Sequence, residues 1–285
     1  MIGITGATGQ LGQLVIEKLL ETVSPQEIVA LVRNPAKAEN LSNLGVQVRE
    51  ADYTKPQTLK TAFQGLTKLL LISSSEVGQR AVQHQAVIDA AKDVDLELFA
   101  YTSLLRADEN PMMLAEEHRI TEAAIKASGL PAAILRNGWY TENYTQGVGA
   151  VLQTGQVVGA ADAGVLHTAA RKDYADAAAA VLTSTENQVG KVYELAGDQG
   201  FTLAEYAQTI ADLTGKAIQF SPLTETQFKD VLVEVGLPEG FAAVLADSEK
   251  QAAEGWLSED SKSLSNLIGR PTTSLSDTLG QALNA

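Results

Sequence analysis

Three glycines near the start of the chain have the types and spacing to do chemistry. Gly6, Gly9 and Gly12 lie in the run Gly6-Ala7-Thr8-Gly9-Gln10-Leu11-Gly12, directly after a short apolar stretch and directly before an amphipathic one. A glycine turn there brings main-chain N–H groups and the positive end of a helix to one point, which suits a pyrophosphate. Isolated glycines mark ordinary turns as well, but the order strand, turn, helix favours a dinucleotide site. We predict that a pyrophosphate meets the free N–H groups of this turn, whose residues are Gly6, Ala7, Thr8, Gly9, Gln10 and Leu11, and the positive end of the helix that follows.

The end of the second predicted strand indicates which dinucleotide binds. An NAD-specific site usually has an acid there that holds the ribose hydroxyls. Here the strand ends at Arg33, whose planar cation suits a 2′-phosphate, although a solvated surface arginine is the alternative. Glu27 precedes the strand and is expected at the wrong edge of the sheet. The prediction is NADP(H).

Polar residues also follow the third and fourth predicted strands. Asp52 follows the third, where it either accepts a hydrogen bond from an adenine amino group or caps the next helix. Ser73, Ser74 and Ser75 end the fourth, and their hydroxyls and backbone N–H groups are predicted to line the cofactor. The alternative for these serines is a common serine-rich turn.

A Tyr with a Lys four residues later, the usual proton donor of reductases on this kind of fold, is missing from the chain. At the corresponding place His118 and Glu122 lie one helical turn apart, either as a proton relay or as an exposed ion pair. Reduction of a simple ketone benefits from a built-in acid, whereas a reduced quinone is a delocalised, weakly basic anion. A hydride site without an acid therefore favours quinones, or cationic dyes, which need no proton, and no catalytic residue is predicted.

The segment after the sixth predicted strand should lie at the same carboxyl edge of the sheet. It reads Asn137-Gly138-Trp139-Tyr140-Thr141-Glu142-Asn143-Tyr144 and offers aromatic surface and amide groups. Trp139 is expected mainly as core between two lobes. Tyr140 and Asn143 are the candidates for binding the acceptor, with a purely structural role as the alternative.

Strands alternating with helices must position these groups. Apolar, β-branched runs at 2–5, 28–33, 46–51, 68–72, 96–102 and 132–136 predict parallel strands. A capping box of Thr54 and Gln57 and another of Thr224 and Gln227 predict two of the helix starts. One strand is predicted at 192–195 and another at 218–221, among helices at 202–213, 224–235, 240–254 and 274–283.

The fold class is therefore α/β: a Rossmann-type doubly wound parallel sheet with a smaller, mainly helical C-terminal lobe that covers the substrate. We expect the cofactor domain at 1–137, with a returning segment at about 168–197. The smaller lobe is expected at 198–285 together with about 138–167.

Composition excludes several classes of function. The chain has 285 residues, of which 45% are hydrophobic, no cysteine and three histidines, which argues against thiol chemistry and metal sites. A net charge of −14 makes nucleic acid and anionic membranes poor partners. The opening residues Met1–Thr5 are short and uncharged, so we expect no signal peptide, no membrane insertion and a cytoplasmic location. The oligomeric state is left open, with a homodimer as one possibility.

Longer segments resemble a known family. Seven segments carry the similarity: GATGQLG at 6–12, LVRNPAKAE at 31–39, LLLISSSEVGQR at 69–80, YTSLL at 101–105, LRNGWYTENY at 135–144, VYELAG at 192–197 and LIGRPTTSL near the C-terminus. They resemble the NmrA-like branch of the atypical short-chain dehydrogenases/reductases, and within it the quinone and triphenylmethane-dye reductases. The resemblance implies that Gly6 through Leu11 bind the phosphates, Arg33 binds the 2′-phosphate, and Ser73–Ser75 and Asn137–Glu142 line the ribose and nicotinamide.

The resemblance and the missing acid together lead to one leading hypothesis and two rivals. The leading one is two-electron reduction of a quinone by direct hydride transfer from NADPH, without flavin. The first rival keeps this mechanism with a triarylmethane dye as acceptor. The second is a redox-sensing protein that binds NADP(H) without catalysis.

Overall fold

The computed structural model describes residues 1–284, which form two compact units. Unit 1 comprises Met1–Ala107, Glu117–Asn137 and Arg171–Tyr193. Unit 2 comprises Asp108–Glu116, Gly138–Ala170 and the chain from Glu194 to the last described residue. The chain therefore leaves unit 1 and returns to it twice before its last segment.

The strands are β1 (Ile2–Thr5), β2 (Ile28–Val32), β3 (Gln47–Glu50), β4 (Lys68–Leu71), β5 (Leu98–Leu104), β6 (Ala132–Asn137), β7 (Gln156–Gly159), β8 (Val192–Leu195) and β9 (Gln219–Pro222). Seven of them form one sheet in the order β3-β2-β1-β4-β5-β6-β8. In its parallel register Ile4 lies opposite Ala30 on one side and Leu70 on the other. All residues of β2 and β5 are buried, as expected for parallel strands that are covered on both faces. The predicted doubly wound parallel sheet is confirmed.

The helices are α1 (Gln10–Leu20), α2 (Glu39–Asn43), α3 (Pro56–Ala62), α4 (Arg80–Ala91), α5 (Met113–Ser128), α6 (Glu142–Thr145), α7 (Val148–Thr154), α8 (Arg171–Thr183), α9 (Leu203–Thr214), α10 (Glu225–Glu234), α11 (Glu239–Ala253), α12 (Ser263–Ile268) and α13 (Leu275–Leu283). Helix α1 buries Leu11, Val15 and Leu19, whose spacing of four residues puts them on one face. The sequence did not predict the short helices α2, α6, α7 and α12.

The two predicted capping boxes have different outcomes. Thr224 accepts from the Gln227 N–H, and the Gln227 side chain accepts from Thr224 in return, so the box that opens α10 is confirmed. The box at Thr54 is wrong, because α3 begins after Lys55. Thr54 instead donates its N–H and hydroxyl to Asp52 Oδ1 at 3.0 and 2.8 Å, so the carboxylate shapes the turn before α3 without capping the helix.

Unit 2 contains a second, two-stranded sheet in which β7 pairs in parallel with β9. Only β9 was predicted, and its partner β7 is a four-residue strand that follows a left-handed glycine, Gly155, at the end of α7. Helices α10 and α11 bury Phe228 and Ala246 around Ala160 in a small separate core. Strand β7 and helices α10 and α11 also contribute to the wall of a cavity in unit 2.

Candidate functional site

The turn after β1 has the geometry of an anion cradle. Gly6 has a φ of +58°, which favours glycine, and its carbonyl accepts from the Gly9 N–H at 2.8 Å. Gly9 is the N-cap of α1, and no side chain caps that helix and no acid lies in its first turn. The leading N–H groups of α1 are thus left for an external anion, which the helix dipole favours.

Close packing at Gly12 keeps this cradle in place. A Cβ on Gly12 would lie 2.5 Å from the Gly6 carbonyl oxygen and 2.8 Å from the Ala7 Cα, both of them backbone atoms. A Cβ on Gly9 would lie 3.1 Å from the same oxygen. Any side chain at Gly12 would push the helix start away from the turn, so these residues fit a dinucleotide pyrophosphate, as predicted from their spacing.

Arg33 lies directly after β2 and is exposed, with 74% of its side chain accessible. Its Nη1 donates to Glu76 Oε1 at 2.8 Å, and Gln83 donates to the other oxygen of Glu76 at 2.8 Å. An exposed ion pair of this kind contributes little free energy, so a phosphate dianion can take the guanidinium from Glu76. Glu27 lies in a short 3-10 turn before β2, at the opposite end of that strand from Arg33.

The loop after β4 uses its backbone N–H groups internally. The N–H groups of Ile72, Ser73 and Ser74 donate at 2.9 Å to side chains from three other elements. The acceptors are Thr5 Oγ1, Thr102 Oγ1 and His84 Nε2. The N–H groups of Ser73 and Ser74 are therefore used within the protein. That Ser73, Ser74 and Ser75 line the cofactor stays a prediction, for their hydroxyls and for the Ser75 N–H.

His84 holds this loop from α4 and is completely buried. Because its Nε2 accepts from the Ser74 N–H, its Nδ1 carries the proton and donates to Thr121 Oγ1 at 2.9 Å. Arg80 Nε donates to the Ser74 carbonyl at 2.5 Å, so both peptide groups of that serine are fixed by α4. Burial, together with the Arg80 charge, lowers the pKa of His84 to about 4, and the ring is neutral near pH 7.

His118 and Glu122 form neither of the arrangements considered for them. His118 is buried and its Nδ1 lies 2.8 Å from the Tyr101 hydroxyl, while burial, followed by the charge of Arg80, lowers its pKa well below the usual value. Glu122 pairs instead with Arg136, at 3.0 Å from Nε and 2.7 Å from Nη2. Ser103 donates to the same carboxylate at 2.5 Å. The proton-relay and exposed-ion-pair hypotheses are both wrong, because His118 and Glu122 contact other side chains. Tyr101 of β5 contacts His118, and Arg136 of β6 pairs with Glu122.

The predicted segment after β6 begins in unit 1 with Asn137. This residue is 5% exposed, and its Oδ1 is buried without a hydrogen-bond partner among residues 1–284. An orphaned buried acceptor indicates a ligand group that donates a hydrogen bond. No sequence signal distinguished Asn137 from the other amides of the segment.

The rest of this segment belongs to unit 2. Gly138 donates to the Leu195 carbonyl at 2.7 Å, and the buried Thr141 uses its N–H on Ala169 at 3.0 Å and its hydroxyl on Thr168 at 2.7 Å. Tyr140 forms a bridge with Ala169, and Glu142 opens α6. Trp139 and the exposed Asn143 line the unit 2 cavity, and Tyr140 is outside the lining of that cavity.

This cavity of about 530 Å³ lies wholly within unit 2. Its wall comes from α6, α7, β7, α9, α10 and α11, and includes Tyr144, Val157, Tyr206, Phe228, Leu232 and Glu249. A larger open groove of about 730 Å³ in unit 1 is lined by α3 and α4 and contains none of the predicted site residues. The unit 2 cavity has the size and apolar lining of a small-molecule site.

Glu249 is the one carboxyl group among the residues that line this cavity, and sequence reasoning missed it. It is 8% exposed, and its Oε2 accepts from the Ala160 N–H at 2.5 Å. Burial, against hydrogen bonds from the Ala160 and Ala161 backbone, raises its pKa to about 7. Nearby, the Tyr144 hydroxyl is buried with no partner within residues 1–284, and burial, together with Glu249 and Tyr206, raises its pKa well above the usual value.

Two features that would point to other functions are absent from residues 1–284. No group of three or more His, Asp or Glu side chains is arranged to hold a metal ion in that part of the chain. None of the helices in the same range has the length and apolar character needed to cross a bilayer.

Comparisons with known proteins agree with this geometry. A family model described as NAD(P)H-binding matches residues 6–185. Quinone oxidoreductase 2 of Escherichia coli (strain K12) is 51% identical over 284 residues, covering 100% of this chain and 99% of that protein. The crystal structure of an Escherichia coli NADPH-dependent quinone oxidoreductase complexed with NADPH superposes with a TM-score of 0.97, at 51% identity and full coverage of both chains. That of Citrobacter sp. triphenylmethane reductase complexed with NADP(H) has a TM-score of 0.95 at 38% identity, covering 99% of this chain and 100% of the other.

Proposed function

The chain belongs to the NAD(P)H-binding family, and from that premise we propose that it is an NADPH-dependent oxidoreductase that reduces quinones by direct hydride transfer, without flavin. One observation carries the proposal. The uncapped α1 start is packed against a glycine turn, in a chain similar from end to end to a quinone oxidoreductase whose structure holds NADPH.

The cofactor is held by residues of unit 1 in this proposal. The free N–H groups at the start of α1 bind the pyrophosphate, and Arg33 exchanges Glu76 for the 2′-phosphate. The hydroxyls of Ser73 and Ser75 contact the ribose. Asn137 Oδ1, which lacks a partner among residues 1–284, accepts a hydrogen bond from the nicotinamide end. When bound, NADPH supplies a hydride.

The acceptor is oriented rather than protonated. No Tyr has a Lys four residues later, and the buried His118 is committed to Tyr101. A reduced quinone is a weak base that water can protonate, so the protein needs mainly proximity and alignment of flat rings. Asn143 and Tyr140 are the proposed acceptor contacts, and unit 2 is the proposed acceptor lobe.

Steady-state oxidation of NADPH tests the proposal directly. Flavin-free protein is mixed with NADPH and a small benzoquinone, and the absorbance of the reduced cofactor is followed. We expect sustained turnover and a primary isotope effect with NADPH deuterated at the transferred position. Tight binding of both NADP⁺ and NADPH without turnover on any acceptor would instead support the redox-sensing hypothesis.

A triarylmethane dye is the second candidate acceptor, because the chain is 38% identical to a triphenylmethane reductase over almost its whole length. The same hydride chemistry would reduce a cationic dye without any proton. The ratio of kcat/KM for quinone and dye decides between the two acceptors. A cytoplasmic location and a homodimer remain predictions, which cell fractionation and light scattering test.

A further inference from the structure

We propose that the unit 2 cavity binds the uncharged ring of the acceptor, and that Glu249 in its neutral form donates a hydrogen bond to a carbonyl oxygen of that ring. The inference rests on the proposed function for the chemical class of the ligand, a quinone. It makes Glu249 a residue that determines acceptor specificity, with no role in moving the hydride.

The cavity wall fits a flat apolar ring. Aromatic side chains of Tyr144, Tyr206 and Phe228 come from three different helices, and Leu232 and Val157 complete an aliphatic surface. The volume of about 530 Å³ is sufficient for a bicyclic ring with substituents. Asn143, which the sequence indicated as an acceptor contact, lines the same cavity.

The cavity surface is mainly apolar, so its one carboxyl group, that of Glu249, is important for the recognition of a polar ligand atom. Its Oε2 is fixed by the Ala160 N–H, and a Cβ on Gly159 would lie 2.6 Å from that oxygen, so the carboxyl is held closely against β7. The Tyr144 hydroxyl is the second buried polar group, and it has no partner within residues 1–284. A buried acid and a buried unpaired hydroxyl at one apolar cavity indicate a ligand that carries a hydrogen-bond acceptor.

The titratable groups that face Glu249 in unit 2 are the phenols of Tyr144 and Tyr206. Burial raises the pKa of both phenols above the usual value, so both are neutral near pH 7. On the adjoining helices, Glu225 pairs with Lys250 at 3.4 Å and Lys229 pairs with Glu239 at 3.0 Å. None of these four side chains lines the cavity, where Glu249 is the one carboxyl group. The charge of the cavity near neutral pH is therefore set by Glu249.

Binding of a quinone is the direct test. We titrate 2-methyl-1,4-naphthoquinone into the full chain without cofactor at pH 6 and pH 8.5, and follow quenching of tryptophan fluorescence, since Trp139 lines the cavity. Because only the neutral acid can donate, the affinity is expected to be at least about fivefold higher at pH 6, the factor that one neutral hydrogen bond of about 1 kcal/mol represents.

Two variants separate the carboxyl group from the cavity. Glu249→Gln keeps an oxygen for the Ala160 N–H and a donor that does not titrate, so its affinity should be the same at both pH values. Ala150→Phe fills the cavity from α7 and should reduce affinity at least tenfold, whereas Gln153→Phe, on the same helix but outside the lining, should leave it unchanged. Unchanged binding in Ala150→Phe, or equal pH dependence in wild type and Glu249→Gln, overturns the proposal.

The outcomes also separate this inference from the proposed function. Turnover of NADPH and quinone with a KM for quinone that neither Ala150→Phe nor pH changes would sink the cavity assignment and leave the reductase standing. Quinone binding that depends on pH and on Ala150, in a protein that never oxidises NADPH, would support the cavity and sink the reductase.

Discussion

The cofactor region of unit 1 and the cavity of unit 2 are built on different principles. In unit 1 the backbone forms the site: three glycines place the start of α1, and buried Thr5, Thr102 and His84 hold the loop after β4 through its N–H groups. In unit 2 side chains from six elements form an apolar space with one carboxyl group. The first arrangement is rigid and insensitive to pH near neutrality, whereas the second changes charge there. In the function proposed above, backbone geometry would recognise the hydride donor, and an apolar cavity with one titrating carboxyl group would recognise the acceptor.

Gly12→Ala should break the unit 1 side of this comparison most severely. The added Cβ would lie 2.5 Å from the Gly6 carbonyl oxygen. That oxygen is a backbone atom, so relieving the clash requires the turn or the start of α1 to move. We expect NADPH affinity to fall about hundredfold because the N–H groups lose their alignment, and the free energy of unfolding to fall by about 1–3 kcal/mol. Calorimetry and thermal unfolding measure the two effects.

Gly149→Ala is the matched control for that variant. Gly149 is a helical glycine of α7 in unit 2, and a Cβ there meets no atom within 4 Å. Its replacement should leave NADPH binding unchanged and stabilise the fold by up to about 1 kcal/mol. Similar NADPH affinities in the two variants would remove Gly12 from the cradle.

Arg33→Ala tests an exposed charge at the end of β2. Loss of a charged hydrogen bond to the 2′-phosphate should cost about 1.5–3 kcal/mol in NADPH binding, roughly 10- to 150-fold, and far less in NADH binding. Glu76→Gln removes the competing partner that lies 2.8 Å from Arg33, so this variant should bind NADPH at least as tightly as wild type. Equal losses for both cofactors in Arg33→Ala would assign the 2′-phosphate to another residue.

The sequence predicted the unit 1 region well because its signals are contiguous. The glycine run, the strand before it and the helix after it lie within 19 residues of each other, and each element follows from local periodicity. The same holds for the capping box at Thr224, whose two partners are three residues apart. Local sequence patterns are sufficient to predict a site when one short, contiguous segment of the chain forms it.

Long-range contacts account for what the sequence did not predict. Helical spacing placed His118 and Glu122 on one face, but it gave no indication that β5 and β6 would supply Tyr101 and Arg136 as partners. The cavity joins residues from Trp139 to Glu249, which no local pattern connects. A weak signal for Glu249 did exist: it lies at i+7 and i+3 from the buried Ala242 and Ala246, so it is an acid on the apolar face of α11.

His84→Ala asks how far the fixed loop depends on one ring. The Ser74 N–H would lose its acceptor in a buried place, which costs about 1–3 kcal/mol and loosens Ser73 and Ser75. We expect a higher KM for NADPH with a smaller change in kcat. In wild type, nitrogen NMR of the imidazole should show an unprotonated Nε2 across neutral pH, a signature that a merely space-filling ring would not need.

The control for that variant is His167→Ala. His167 belongs to unit 2, is only half-buried, and contacts the Ser258 hydroxyl through Nδ1 at 3.1 Å. NADPH kinetics should be close to wild type. A KM for NADPH that rises equally in both variants would mean that the loop responds to general loss of stability rather than to His84.

The smallest expected effect is the pH dependence of stability. It sharpens the comparison most, because stability should change with pH in opposite directions in the two units. Burial raises the pKa of Glu249 from 4.5 to about 7, so the folded state holds more protons than the unfolded state between these values, and the stability of unit 2 falls as pH rises through that interval. Burial, together with Arg80, lowers the pKa of His84 from 6.5 to about 4, so unit 1 loses stability as pH falls from about 6.5 toward 4.

Each proton changes stability by at most about 1.4 kcal/mol per pH unit. Hydrogen exchange of the slowest amides in each unit, measured between pH 5 and 6.5 after correction for the intrinsic rate, should therefore move in opposite directions. Glu249→Gln should remove the loss of stability with rising pH in unit 2, where only the opposite and smaller effect of the half-buried His167 then remains, and should leave the trend in unit 1 as it is. A shared direction in both units of the wild type would mean that they unfold together and that the contrast between a fixed and a titrating region has no energetic counterpart.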